Sequence, residues 1–407
     1  MRRSGIPSFS KNLASQWLAT AYNAGVSIFL TFLLGRVLGP EAFGRYSYML
    51  TLASLFFILQ DGGFKTLLFR EKTLPSPAIK GYGDRLFSWA LGNTLMVTLG
   101  GVICVLVLPF QYGLGIVAAF LYFGLQAVAN FISSILRGDG LFVREAKWQA
   151  MVRTLGALGM LLGLFLVRSQ PWAVFGGWFL GVLVSLFWAP ISIGRPSFGG
   201  FGIREVRAAC LGFMAIDAAT VVYYRCDIIL LEYLTGNSAE VGYYSAAYRF
   251  LEGMVLMAVP LRVIWFRKLR LVWEDKRFFE RQLLKMGLVM LGVACLVIGV
   301  GVFFRKEIVL FTFGPEYADS VSLLPWLLVA LVFVLPNGVL TQGVVARNRE
   351  RYYAFAAGFS ALLNIGLNLE LIPKFGGMGA AWATIATEAF LTIILIVALD
   401  RKGWDKN

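Results

Sequence analysis

Several arginine and acidic residues lie inside long apolar segments of this chain. Two such segments, 206–234 and 241–266, follow each other closely; the first contains Arg225 and the second contains Arg249 and Glu252. Arginine stays protonated and presents a planar fork of N–H donors, so it suits phosphate or carboxylate oxygens. With about 1.5 Å of rise per residue, the two arginines lie at similar depth in adjacent helices. We therefore predict that they form an anion-binding layer.

Acidic residues in the same two segments could bind an ion or pair with the arginines. Asp217 and Asp227 lie on one stripe of the first predicted helix, and Arg225 points about 160° away from Asp227. Glu252 and Arg249 are neighbours on one face of the second. Two interpretations stay open. The acids could take up H⁺ or Na⁺, or each arginine could merely neutralise an acid and hold the helices together.

A further charged site is expected in the apolar segment 43–69. It contains Gln60-Asp-Gly-Gly63 and then Lys65. A glycine pair in a membrane span indicates a kink or a close helix contact. Lys65 lies near the end of the segment, where it could extend to the membrane surface or contact a substrate. Asp61 is another residue that could carry a coupling ion.

Composition indicates a membrane protein. Of the 407 residues, 58% are hydrophobic and 15% are charged, with a mean hydropathy of +0.73; soluble domains are about 45–50% apolar. Hydropathy and helix breakers predict about twelve spans. These are 13–38, 43–69, 86–109, 113–136, 148–167, 172–190, 206–234, 241–266, 284–304, 322–345, 352–372 and 378–399. The fold class is therefore an all-α polytopic membrane protein, because backbone groups in lipid must bond within each helix.

The basic residues predict the orientation. Most of the 37 Lys and Arg residues lie in alternate connections, which are cytoplasmic if the N-terminus is cytoplasmic. Positively charged flanks are retained on that side, so both termini are expected inside. Basic loops against an anionic leaflet account for the net charge of +14 without a nucleic-acid partner. The segment 267–285, with apolar residues at near-helical spacing, predicts an amphipathic helix at the membrane surface; a simple connector is the alternative.

The chain divides into two similar halves. Phe43-Gly-Arg-Tyr-Ser47 opens the second span and Val241-Gly-Tyr-Tyr-Ser245 opens the eighth. We predict two parallel six-helix repeats with the transport site between them. The expected domains are an N-terminal lobe at 1–194, a Gly-rich cytoplasmic linker at 195–205 and a C-terminal lobe at 206–407.

Other residues restrict the chemistry. The chain has no His, and its four Cys residues all fall inside predicted spans, so neither a disulfide framework nor a metal site is expected. No D-x-D motif and no long soluble connection is present. A sugar polymerase or glycosyltransferase therefore fits poorly, and a non-enzymatic role without cofactors is expected.

Six motifs in order along the chain resemble one family. They are Leu38-Gly-Pro-Glu-Ala-Phe-Gly-Arg-Tyr-Ser47, Asp61-Gly-Gly63, Arg225-Cys-Asp227, Val241-Gly-Tyr-Tyr-Ser-Ala-Ala-Tyr248, Phe313-Gly-Pro-Glu-Tyr317 and Gly379-Ala-Ala-Trp-Ala-Thr384. They look like the polysaccharide biosynthesis proteins, which are flippases of O-antigen and exopolysaccharide repeat units. MATE drug exporters and lipid II flippases belong to the same superfamily.

The resemblance implies MATE-like lobes and a specific activity. It implies translocation of undecaprenyl-pyrophosphate-linked oligosaccharide across the plasma (inner) membrane, by alternating access coupled to an ion gradient. Membrane lipids and polysaccharide polymerase machinery would be the partners. Arg225, Arg249 and Lys65 would contact the substrate, and Asp217, Asp227, Glu252 or Asp61 would serve coupling or charge pairing. A MATE-like drug or ion exporter is the main alternative, although the first span lacks the acid typical of those exporters.

Overall fold

A computed structural model describes residues 9–73, 84–167, 170–191 and 203–400, and the regular elements in these ranges are helices. They are α1 (Phe9–Asp61), α2 (Phe64–Thr73), α3 (Asp84–Val107), α4 (Gly113–Gly138), α5 (Phe142–Leu166), α6 (Pro171–Leu186), α7 (Ile203–Thr235), α8 (Ser238–Leu271), α9 (Lys276–Phe303), α10 (Arg305–Thr312), α11 (Ser320–Val329), α12 (Leu331–Ala346) and α13 (Glu350–Asp400). A short 3-10 helix covers Pro315–Tyr317. The all-α membrane fold predicted from hydropathy is confirmed.

The helices follow the predicted spans, with breaks at glycines. α1 contains a non-helical residue at Gly39 and α13 at Gly376, both with positive φ, so each of these long helices contains two predicted spans. Seven helices in the described residues are long and apolar enough to cross a membrane. The charged helices α7 and α8 are not among these seven. The number of twelve spans stays a prediction.

The predicted kink at Gly62-Gly63 is confirmed. Both glycines have positive φ, and they separate α1 from α2. The Asp61 carboxylate accepts a hydrogen bond of 3.1 Å from the Gly63 N–H. Asp61 therefore stabilises the turn that glycine makes sterically accessible.

The predicted surface helix at 267–285 is wrong. α8 continues to Leu271 and α9 begins at Lys276, so only four residues connect them. Asp275 ends the connection, because its carboxylate caps α9 by accepting from the Phe278 N–H at 3.0 Å. The periodic apolar residues belong to the ends of two long helices.

Packing divides the chain into two compact units. One comprises Met1–Leu38 and Met49–Ala218, and the other comprises Gly39–Tyr48 and Ala219–Asn407. Residues 195–202 of the predicted linker lie outside the described part of the chain. The predicted lobe boundaries stay a prediction.

The two repeated motifs contact each other reciprocally within the second unit. A Cβ on Gly44 would overlap the Ser238 carbonyl oxygen, and a Cβ on Gly242 would overlap the Pro40 carbonyl oxygen. Gly44 and Gly242 occupy equivalent positions in the two motifs, as do Pro40 and Ser238. Such a reciprocal contact is typical of two-fold related elements. Glycine is required here because the backbones touch.

Gly242→Ala is expected to destabilise the protein. The added methyl group meets backbone atoms rather than a movable side chain, and overpacking of this kind costs about 1–3 kcal/mol. Gly253→Ala in the same helix is the matched control, since its Cβ would meet nothing within 4 Å. Apparent Tm values in detergent measure the effect. Equal Tm values for the two variants would contradict the reciprocal contact.

Candidate functional site

Residues in the turn between the charged helices α7 and α8 determine where each helix ends and begins. Gly236 has φ 63° directly after α7, a conformation that ends helices readily. Asn237 then caps α8 by accepting hydrogen bonds from the backbone N–H groups of Ala239 and Glu240. Arg225 and Arg249 each lie about 15 Å along their helix from this turn. The tight turn therefore brings both arginines to the same level, as the sequence predicts.

Both arginines bind the same carboxylate. Arg249 Nη1 lies 2.5 Å from Glu252 Oε2, and Arg225 Nη2 lies 3.2 Å from Glu252 Oε1. The Arg225 and Glu252 side chains are 27% and 30% exposed, whereas that of Arg249 is 16% exposed. With one negative and two positive groups, this arginine–glutamate triad has a net charge of +1.

A cavity of about 400 Å³ lies beside the triad, within the second unit. Its walls come from α7, α8, α12 and α13. The polar and charged residues that line it are Arg225, Asp227, Tyr248, Glu252, Asn364, Thr384, Thr387 and Glu388. Arg249 is not among the described lining residues, and it binds Glu252, which lines the cavity.

Arg225 and Asp227 line the same cavity; of the two arrangements that would allow this, a local break in the helix or a second polar surface, the break is absent from α7. α7 is unbroken from Ile203 to Thr235, so the cavity contacts a wide arc of the helix. The Asp227 side chain is nearly buried, with 4% of the residue exposed. It accepts hydrogen bonds from the Tyr244 hydroxyl and from the Ile228 N–H.

Sequence reasoning missed a polar cluster on α12 and α13. The Asn337 amide donates to the backbone oxygen and to Oε2 of Glu388 at 2.9 and 2.8 Å, and Thr392 donates to Asn337 Oδ1 at 2.7 Å. Nearby, the Asn364 amide donates to Thr387 Oγ1 at 3.3 Å. The signal in the sequence was an acid in the last span together with Asn337 directly after Pro336. Glu388 is thus the third carboxylate that lines the cavity.

The other predicted site residues lie elsewhere or outside the description. Asp61 and Lys65 belong to the first unit, on either side of the glycine break, and Lys65 is half-buried in α2. Asp217 falls in α7, but its side chain is not among those described. Within the described ranges, no group of three or more His, Cys, Asp or Glu side chains is arranged to hold a metal ion.

Solved structures with this arrangement of helices show the class of fold. A structure titled "Lipid II flippase MurJ, inward closed conformation" superposes with a TM-score of 0.74 and 16% identity, covering 94% of this chain and 87% of that one. An inward-facing multidrug resistance MATE family transporter of the MOP superfamily gives a TM-score of 0.66 and 15% identity, covering 94% and 93%. This chain therefore shares the fold of these two structures, and its long apolar helices indicate an integral membrane protein.

The sequence identifies the family within that class. Residues 9–263 match the family described as "Polysaccharide biosynthesis protein", and the chain belongs to it. The chain is 23% identical over 346 residues to the succinoglycan biosynthesis transport protein ExoT of Rhizobium meliloti (strain 1021), covering 82% of this chain and 67% of that protein. It is 28% identical over 184 residues to the probable flippase AglR of Haloferax volcanii, covering 44% of this chain and 38% of that protein. The suspected family is confirmed.

Proposed function

We propose that this protein is a flippase for oligosaccharide repeat units linked to undecaprenyl pyrophosphate. It moves them from the inner to the outer leaflet of the plasma membrane for O-antigen, capsule or exopolysaccharide synthesis. One observation carries the proposal: a cavity between α7, α8, α12 and α13 presents Arg225 to a ligand. Family membership and the transport functions named for its relatives support it.

The triad provides a way to bind and release the pyrophosphate. In the empty site Glu252 holds Arg225 beside the cavity, so the guanidinium is oriented before the substrate arrives. The phosphate oxygens then replace or share the carboxylate as acceptors of the Arg225 N–H groups. Arg249 keeps Glu252 neutralised during this exchange and adds to the positive potential. Lys65 is a further proposed contact, and the polyprenyl tail stays in lipid.

Alternating access in this proposal is coupled to H⁺ or Na⁺ at Asp227. Glu252 is bound by two arginines, whereas Asp227 accepts from Tyr244 and lies in a wall that also contains the oxygen-bearing side chains of Asn364 and Thr387. A carboxylate with neighbouring neutral oxygens suits a proton or a hard cation. Asp217 and Asp61 remain alternative coupling residues.

The proposed orientation follows from the basic connections. Both termini lie in the cytoplasm, as does the connection at 272–275, and the α7–α8 turn lies outside. A polysaccharide polymerase at the outer face would consume the translocated repeat unit. None of these steps changes a covalent bond, so the protein acts as a transporter and not as an enzyme.

A drug or cation exporter is the second candidate, and one observation favours it. Among the described residues that line the cavity, Asp227, Glu252 and Glu388 are carboxylates and Arg225 is the one cation. An excess of carboxylates suits a positively charged ligand. Energised export of cationic dyes, abolished by Glu388→Gln and unaffected by Arg225→Lys, would support the exporter over the flippase.

Vesicles reconstituted with the purified protein test the flippase proposal directly. A fluorescent lipid-linked oligosaccharide should become accessible on the opposite leaflet only when the protein is present, and faster under a H⁺ or Na⁺ gradient. Asp227→Asn should remove the gradient dependence, since the amide cannot carry the proton or balance the cation. Glu370→Gln, at an exposed acid far along α13, is the control. Absence of flipping at any gradient would contradict the proposal.

A further inference from the structure

A second cavity, of about 580 Å³, lies in the second unit. Its lining is mostly aliphatic and aromatic and comes from α9, α12 and α13. Leu284 and Leu288 on α9 and Ile396 on α13 line it, and each is more than half exposed. This volume is within the roughly 300–1,000 Å³ typical of ligand pockets. We call it the α9 groove.

Two glycines make room for the α9 groove. A Cβ on Gly287, which lines the groove, would meet nothing within 4 Å. At the inner end, Gly343 of α12 lets the side chains of Leu283 and Leu399 pack over it. Leu283 and Leu399, which line the groove, therefore pack closely against α12.

The length of the groove matches one leaflet. Its lining on α9 extends from Phe279 to Leu291, which is about 18 Å at 1.5 Å per residue. Half of a hydrocarbon core of roughly 30 Å is about 15 Å. An acyl chain of the leaflet beside the start of α9 would thus fit along the whole groove.

Positive charges lie near the start of α9, beside the groove. Arg277, Arg281, Leu284 and Leu288 follow one another at helical spacing and form one stripe of α9. Both arginines are exposed. A third, Arg347, lines the groove, packs 4.3 Å from the centre of the Phe279 ring and donates to the Leu399 carbonyl. Glu280 and Asp400 are the carboxylates among the described residues that line the groove. Glu280 pairs with Lys276 at 3.7 Å, and Arg277 and Arg281 lie beside the groove rather than in its described lining.

We propose that the α9 groove binds an anionic phospholipid of the cytoplasmic leaflet. One acyl chain lies along Leu284 and Leu288, and the phosphate lies at Arg277 and Arg281. The leaflet follows from the proposed orientation, in which α9 begins at the cytoplasmic surface. Anionic lipids are attracted to basic residues at that surface. The bound lipid fills space between three helices and thereby supports their packing.

Native mass spectrometry of the full-length protein tests this with phosphatidylglycerol and phosphatidylcholine as probes. We expect retention of one phosphatidylglycerol in preference to phosphatidylcholine. Gly287→Phe, which fills the groove, should abolish retention. Gly292→Phe, on the same helix and equally unobstructed but not among the described residues that line the groove, should retain the lipid.

The headgroup site is tested by a surface variant that does not alter the packing. Arg277→Gln with Arg281→Gln should weaken phosphatidylglycerol binding about 25-fold, since each basic residue near an anionic surface contributes about fivefold. Arg305→Gln with Lys306→Gln removes the same charge from the start of α10 and should have no effect. Equal effects of the two double variants, no headgroup preference, or retention of undecaprenyl phosphate alone would overturn the proposal. Lipid retention is measured without transport, so its failure is distinguishable from failure of the flippase function.

Discussion

Arg225→Ala is expected to reduce glycan export about 10- to 100-fold while the amount of protein in the membrane stays near wild type. Charge-assisted hydrogen bonds are worth about 1.5–3 kcal/mol, which corresponds to that factor. Glu252 keeps its bond to Arg249 in this variant, so that carboxylate is not left without a cation. Arg225→Lys should be intermediate, because lysine keeps the charge but loses the bidentate geometry.

Export and abundance must be measured on the same membranes for this prediction. Surface glycan reports export, and quantitative immunoblotting reports abundance. Arg305→Ala, an exposed arginine at the start of α10, is the control and should match wild type in both. Unchanged export in Arg225→Ala would exclude Arg225 as the substrate-binding residue.

Glu252→Ala is expected to cause the largest loss of abundance among the triad variants. It leaves two partly buried guanidinium groups without their shared carboxylate. Removing one partner of a buried pair costs about 3–5 kcal/mol, and the 30% exposure of Glu252 puts this case near the lower value. Single alanine variants of either arginine should be milder, since the glutamate retains one cation in each.

The double variant Arg249→Ala with Glu252→Ala distinguishes the roles of the two arginines. It restores the net charge of +1 that the triad has in the wild type, so abundance should recover. If export recovers with abundance, Arg249 is a structural residue and Arg225 alone binds the substrate. If abundance recovers and export does not, either Arg249 or the orientation of Arg225 by Glu252 is needed for transport, and Arg249→Ala alone separates the two because it keeps the bond between Arg225 and Glu252. Abundance that stays as low as in Glu252→Ala would contradict the triad.

Local patterns were sufficient to predict most of the helices. The apolar stretches, the polar turn between α7 and α8 and the glycine pair after Asp61 were all recognisable from the residues. The exception was the segment at 267–285. Its apolar spacing correctly indicated helix, but the residues belong to the ends of α8 and α9 and not to a separate surface helix. Spacing alone does not show whether a short periodic stretch is an independent helix or the end of a long one. The Asp275 cap shows that a new helix, α9, begins directly after this residue.

The candidate site was predicted in part. Helical rise placed Arg225 and Arg249 at one level, because both are equally far from the same turn. Their convergence on Glu252 rather than on separate acids depends on how α7 and α8 are rotated about their axes. Arginine and glutamate side chains are several ångströms long, so they can meet even when their Cα atoms lie on different faces of the two helices. The geometry of a single helix predicts the direction of each Cα–Cβ bond but not where the end of a long side chain lies.

The sequence by itself determined that this is an all-helical membrane protein of the polysaccharide biosynthesis family, because apolar length, charge placement and motif order are properties of the chain alone. Only the tertiary structure decided which polar residues line the same cavity. Glu388 and Asn337 are far apart in the chain, yet α12 and α13 bring them into contact, and Asp227 joins Arg225 beside one cavity. Such contacts arise where helices from distant segments pack, and the pairing of their faces follows from the volume and shape of all side chains together.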